Sequence, residues 1–172
     1  MTFEDVPGGS SPGGFGPMPT YLGFNFNSTL NWIDVSPFAY NYGAKKGDFA
    51  LLNNYSGVGI ITEENNEDFT FDGLWAKAWL TAPQSGGPDI RFGTLEGFND
   101  GQLVWSVDTA LNGSYRYFAP QDGLIDELRL GFGNHFLVDE LRLNHFPENI
   151  PEPSTLAIFT LSLLGLTARR FK

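Results

Sequence analysis

Cysteine is absent from the 172 residues, which removes a disulfide framework, a thiolate metal site and a cysteine nucleophile together. Basic residues are scarce, ten Lys and Arg against twenty Asp and Glu. With a pI near 4.4 there is no surface for neutralising phosphates, which argues against nucleic acid as a partner. Only two histidines occur, so His-based catalysis has few positions to start from. Apolar residues, by contrast, make up 41% of the chain, with 16 Phe and 4 Trp. That is enough for one ordinary domain with a real core, and too much for a disordered chain.

Charge is distributed unevenly. Residues 1–150 hold nineteen of the acids and seven of the bases, whereas no acid follows Glu152. There the chain runs apolar from Thr155 to Ala168 and closes on Arg169, Arg170, Phe171 and Lys172. Leu156, Ile158, Phe159, Leu161, Leu163, Leu164 and Leu166 surround a helix rather than striping one face, which favours a membrane over a protein surface. Residues 154–168 would reach roughly 22 Å as a helix. A permanent span needs about 20 residues, so the segment suits a processed anchor. Basic residues beyond it favour the cytoplasmic side, leaving the body on the other face.

Pro151-Glu152-Pro153 stands just before this run. The two prolines cannot extend a strand, and the second can open a helix. Pro-Glu-Pro, a short apolar helix and an Arg-rich end, in that order, resemble the PEP-CTERM sorting signal of bacterial exported proteins. The resemblance implies that a membrane-embedded protease, exosortase, recognises Pro151, Glu152 and Pro153, with Arg169, Arg170 and Lys172 as the basic stop. It also implies an inner-membrane precursor that is passed to the outer membrane, cell surface or extracellular matrix.

The body divides into short apolar stretches separated by Gly, Asn, Asp and Pro. A Pro/Gly-rich loop covers residues 7–19, preceded by a short strand over Thr2–Val6. Further stretches follow at Tyr21–Phe26, Leu30–Val35, Asp48–Asn53, Gly59–Thr62, Phe69–Thr81, Asp89–Phe92, Gln102–Ala110, Ser114–Phe118, Gly123–Leu130 and Phe136–Asn144. Several alternate at period two, as Leu103, Trp105, Val107 and Thr109 do, and none has a helical pattern. The spacing predicts an all-β, two-sheet antiparallel sandwich of jelly-roll type over residues 1–146. A linker at 147–153 and a single C-terminal hydrophobic helix at 154–172 complete the chain.

Leu124-Ile-Asp-Glu-Leu-Arg-Leu130 recurs as Leu137-Val-Asp-Glu-Leu-Arg-Leu143, which reads as two neighbouring strands joined by a turn. Strand parity places Asp139 on the face of Leu137, Leu141 and Leu143, where a lone carboxylate must find a partner. An ion pair with Arg129 or Arg142, a bulge that turns Asp139 away, or a bound cation would each serve.

Thr2-Phe3-Glu4-Asp5 at the start and Phe136-Leu-Val-Asp-Glu-Leu-Arg-Leu143 at the end are similar to the first and last strands of extracellular jelly-roll domains found upstream of this signal. In related carbohydrate-binding jelly rolls those two strands supply acids to a structural calcium, which implies Glu4 and Asp139 here, and Asp48 is the third ligand expected from the acidic body. Glu140 stands where that pattern often has Asp or Asn. Calcium suits an acidic body, since it takes 6–8 oxygen ligands.

Other chemistry is weaker. Gly9-Ser-Ser-Pro-Gly13 fits G-x-S-x-G, but Pro12, Gly13 and Gly14 exclude the helix that a nucleophile elbow requires, and His135 and His145 are the only bases. Glu63, Glu64, Glu67 and Asp68 read as a solvated loop rather than a glycosidase pair. Trp32, Trp75, Trp79 and Trp105 read as core packing before sugar platforms. Met1-Thr-Phe-Glu-Asp5 is acidic and is no export leader, so a leader lies upstream or has been removed, or the protein is never exported, which would sink the sorting reading. The expected protein is therefore non-catalytic, exported, and part of exopolysaccharide or biofilm structure. The alternative is a carbohydrate-binding module with a defined glycan site, marked by aromatics exposed on one sheet or loop rim. A small surface hydrolase is third.

Overall fold

In the computed structural model the described residues are 1–54, 57–79 and 90–145. They form twelve strands: β1 Phe15–Pro17, β2 Phe24–Phe26, β3 Leu30–Asp34, β4 Phe49–Asn53, β5 Gly59–Glu63, β6 Phe69–Ala78, β7 Arg91–Asn99, β8 Gln102–Leu111, β9 Arg116–Phe118, β10 Gln121–Ile125, β11 Glu127–Gly131 and β12 Phe136–His145. All pairings are antiparallel. One sheet has seven strands in the order β1-β3-β4-β12-β6-β10, with β9 also on β6. The other has five, β2-β5-β11-β7-β8. This is the two-sheet antiparallel sandwich that the spacing predicts. The linker 147–153, the helix 154–172 and its basic stop lie outside the described residues. No described helix is long and apolar enough to cross a membrane.

Alternation builds the core. Phe69, Phe71, Leu74, Ala76 and Ala78 of β6 point inward, as do Leu95 of β7, Leu128 and Leu130 of β11, and Phe136, Val138 and Leu141 of β12. Burying a Phe, Leu or Val side chain contributes about 1.5–3 kcal/mol each, which sets the register that holds the two sheets face to face. A second apolar cluster lies on the outer side of the seven-stranded sheet. There Ile33, Val35, Ala50, Leu52, Trp79 and Leu137 are covered by Tyr42 and Ala44.

Several expectations need correction. Residues 2–6 are a bend and turn, not a strand: Phe3 has φ 62°, its carbonyl accepts a hydrogen bond from the Ser10 hydroxyl at 2.7 Å, and the Val6 amide donates to Ser10 Oγ at 3.0 Å. The chain anchors Phe3 and Val6 in the core without a sheet ladder, although Met1 exchanges two backbone bonds with Leu141. Inside the Pro/Gly-rich loop, β1 pairs with β3, because Gly16 can lie flat against the Trp32 ring. The stretch expected at Asp89–Phe92 continues to Asn99. Its glycines are packing residues: Gly97 sits under Trp105 and Ile125, and Gly93 against the backbone of residues 131–133. The stretch Gly123–Leu130 is broken at Asp126, β10 entering one sheet and β11 the other.

The two copies of the Asp-Glu-Leu-Arg-Leu repeat are consequently not neighbours. Leu128 and Leu130 of the first copy and Leu141 of the second enter one core from opposite sheets. A bulge in β12 around Glu140, φ 47°, shifts the parity, so Leu141 turns inward while Leu137 and Asp139 face outward. That is why Asp139 does not share a face with Leu141.

Candidate functional site

Asp139 faces outward yet is fully buried, because the loop before β4 closes over it. Its Oδ2 accepts the amides of Lys45 and Lys46 at 2.9 and 2.8 Å, and its Oδ1 accepts the Glu140 amide at 2.6 Å. Burial pushes its pKa up to about 6, against the pull of those three amides. Its partners are thus backbone amides rather than Arg129 or Arg142. Glu4 holds the other end of the same loop, its Oε1 accepting the amides of Asp48 and Phe49 at 3.1 and 2.9 Å. Gly47, at φ +72°, leaves room for that carboxylate.

Glu4 and Asp139 therefore meet one loop, whereas the Asp48 side chain is exposed and contributes its backbone amide. Among the described residues no three His, Cys, Asp or Glu side chains converge as a metal cluster. Calcium requires oxygen lone pairs on every side. Here the loop turns N–H groups towards Asp139 and Glu4 Oε1, which gives the buried carboxylate its partners without a cation.

The remaining sequence motifs resolve into structure. Glu63 is buried and accepts the amides of Asn65 at 2.5 Å and Glu67 at 3.1 Å, closing the turn after β5 rather than facing solvent. Ser10 and Ser11 lie between two turns, Ser10 Oγ bonded to the backbone. His135 packs edge-on against Trp79, ring centroids 5.1 Å apart. The side chain of His145 lies outside the described residues. Trp32 and Trp79 are buried and Trp105 packs on the core. Trp75 is turned outward, under Lys45 Nζ at 3.9 Å and beside Tyr117 at 5.2 Å.

The open surface with concentrated chemistry is the outer face of the five-stranded sheet. Inward Leu95, Leu128, Leu130 and Ile61 leave Thr62, Glu96, Phe98, Glu127 and Arg129 pointing away from the core. Register aligns them in rows: Thr62, Glu127 and Phe98 across β5, β11 and β7, then Ile60, Arg129, Glu96 and Ser106. The Arg129 guanidinium lies 3.8 Å from the centroid of the Phe98 ring and is paired with Glu127. Such a stack fixes a planar donor beside an aromatic face. A cleft of about 240 Å³ opens here, with Asn66 and Asp126 on its walls. Asp126 is itself held, accepting the Asp100 amide at 2.9 Å.

Sequence pattern alone does not single out Phe98, Arg129 or Glu127 as binding residues, because a strand that ends at Phe92 stops short of Phe98. A signal for the longer strand is present: Asp100-Gly101, both at positive φ, is the two-residue turn of a hairpin joining β7 to β8.

Comparison with known proteins adds the tail. Residues 149–170 match the PEP-CTERM protein-sorting motif. No curated protein matches the chain. Among solved structures, the chain is similar to TmCBM61 in complex with β-1,4-galactotriose, at 11% identity and TM-score 0.37, covering 73% of this chain and 90% of that one. It is also similar to the C-terminal family 22 carbohydrate-binding module of Clostridium thermocellum Xyn10B, at 10% identity and TM-score 0.41, covering 77% and 91%. A third is the enzymatically active domain of bacteriophage CBA120 tailspike protein 4, at 10% identity and TM-score 0.38, covering 73% and 20%.

Proposed function

We propose that the chain, whose residues 149–170 match the PEP-CTERM protein-sorting motif, is exported and sorted by that signal, and that its sandwich is a non-catalytic glycan-binding module displayed at the cell surface. The sorting route would run through an inner-membrane precursor. An exosortase-type protease would act there at Pro151-Glu152-Pro153, releasing the body to the outer surface or to an exopolysaccharide matrix. Of the readings drawn from the sequence, a defined glycan site is favoured over unspecific scaffolding.

The observation that carries this is the Phe98–Arg129 stack in an open cleft. Sugars present an apolar C–H face and a rim of hydroxyls. An aromatic ring surrounded by a guanidinium, carboxylates, a hydroxyl and an amide answers both. The acids of the face are tied to fixed donors: Glu127 to Arg129, Asp126 to the Asp100 amide, Glu96 to the Ser106 hydroxyl at 3.4 Å. That arrangement suits recognition better than proton transfer, and it supports the non-catalytic reading.

The test is affinity electrophoresis of the full chain, in mild detergent, through gels containing soluble polysaccharides, with Phe98→Ala and Arg129→Ala beside the parent. Loss of about tenfold in affinity on truncating a stacked aromatic is expected. Unchanged retardation of both variants overturns the cleft as the glycan site. The sorting half is tested separately by intact mass and cell fraction in hosts with and without the protease. Loss of the segment after about Pro153 only when the protease is present supports processing, and an unchanged membrane-bound mass in both hosts overturns it.

A further inference from the structure

The opposite face of the sandwich carries a second aromatic feature. Phe15, Tyr40, Tyr42, Trp79 and His135 run ring to ring across the outer side of the seven-stranded sheet, with centroids 6.0, 6.1, 5.0 and 5.1 Å apart. Exposure grades along this file: Trp79 is buried, Tyr42 half-buried, Tyr40 38% exposed and Phe15 47% exposed, with Phe38 at the loop tip fully exposed. A groove of about 110 Å³ opens between Phe15, Tyr40, Tyr42 and Trp79, floored by Ile33 and Leu52.

The groove is preformed. Its loop is closed by the Gly43 amide on Val35 O and the Val35 amide on Asp48 O, both 2.8 Å. Tyr115 Oη donates to Gly43 O at 3.2 Å, and the Lys77 ammonium donates to Tyr42 O. The carboxylates of Glu4 and Asp139 fix the following residues 45–49. A ligand entering it would meet rings already held in place, which lowers the ordering cost of binding.

Charge selects the ligand. No described residue lining the groove is charged, and Asn54 supplies the amide. The whole chain carries −10, so its field repels polyanions, while the groove offers a cation no acid to pair with. What suits an uncharged aromatic corner with a phenol and an amide is a neutral sugar ring, stacked by its C–H face.

We propose that this rim is a second glycan site, selective for neutral polysaccharide, and that the two outer faces let one molecule bridge two polysaccharide chains. The bridging, though not the rim site, rests on reading the Phe98 cleft as a glycan site.

The experiment uses the full chain in mild detergent, in native gels containing hydroxyethylcellulose, dextran, galactomannan or alginate. Retardation is expected in a neutral gel and not in alginate. Phe15→Ala and Tyr40→Ala each lower that affinity about tenfold, as truncated aromatic anchors do. Tyr40→Phe keeps the ring and retains most of it, which separates lost stacking from lost folding. The viscosity of the retained polysaccharide rises with parent protein and not with Tyr40→Ala or Phe98→Ala. Wild-type affinity in Phe15→Ala and Tyr40→Ala, stronger retention in alginate, or retention in no neutral gel overturns the rim site. If the rim variants lose affinity and Phe98→Ala does not, the cleft reading and the bridging fail together while the rim stands.

Discussion

Glu4 and Asp139, from opposite ends of the body, grip the two ends of one loop: Asp139 takes the amides of Lys45 and Lys46, Glu4 those of Asp48 and Phe49. Truncating either strips two loop amides of their acceptor, and losing Asp139 strips the Glu140 amide as well. Asp139→Ala, at a fully buried position, is expected to cost about 1–3 kcal/mol, the range for leaving buried donors unsatisfied. Glu4→Ala should cost less, since the Asp48 end is exposed. Urea unfolding followed by Trp fluorescence measures both, and an unchanged midpoint for Asp139→Ala contradicts the tether.

Calcium should not be needed for that loop. A ligand that binds only the folded state raises the melting temperature. Since N–H groups rather than oxygens face the two carboxylates, chelation is expected to leave the transition where it was. An upward shift on adding calcium, seen by scanning fluorimetry, would mean that the loop can turn its carbonyls inward to make a site with Glu4 and Asp139.

Lys77 supplies a pH dependence of definite sign. Burial lowers its pKa from 10.5 to about 8, so between those values the unfolded chain binds more protons than the folded one. Stability therefore rises as pH increases through that window. Burial also raises Tyr21 and Tyr115, which favour the folded state less once the unfolded phenols ionise above about 10. The gain is thus read between about pH 8 and 9.5 as a rising melting temperature. Lys77→Met is expected to flatten the slope, and an equal slope in that variant would assign it to another group.

Gly97→Ala tests the face opposite the cleft. A Cβ there would come within 2.7 Å of Ile125 Cγ2 and closer still to the Trp105 ring. Overpacking of this kind costs about 1–3 kcal/mol. A lowered urea midpoint is expected, with the Phe98 side of the strand displaced and glycan affinity reduced alongside it.

Much of the sandwich is legible in the sequence because period-two alternation is local. Trp105, Val107 and Thr109 announce a strand regardless of what surrounds them, and β8 extends over Gln102–Leu111. Glycine misleads where it serves tertiary contact. Gly93 and Gly97 look like turn residues in sequence, yet they lie inside β7 because neighbouring backbone and the Trp105 ring leave no room for a side chain. The repeats cannot reveal that they join different sheets, since β11 pairs with β5 and β7 whereas β12 pairs with β4 and β6, a non-local fact. The cleft escapes a sequence reading for the same reason. Phe98 and Arg129 are far apart in the chain, and only the β11–β7 register brings them together.

Asp126 alone separates β10 from β11, and hence one sheet from the other. A joint one residue long has no slack, so the sheets cannot slide past each other without breaking the Asp126 amide's bond to Phe98 O at 2.9 Å. The same residue forms a wall of the cleft. The width of the cleft is thereby geared to the packing of the two sheets, and if the proposed glycan binds there, a chain of sugars pulling on that face would load the whole sandwich rather than peel one strand from its edge.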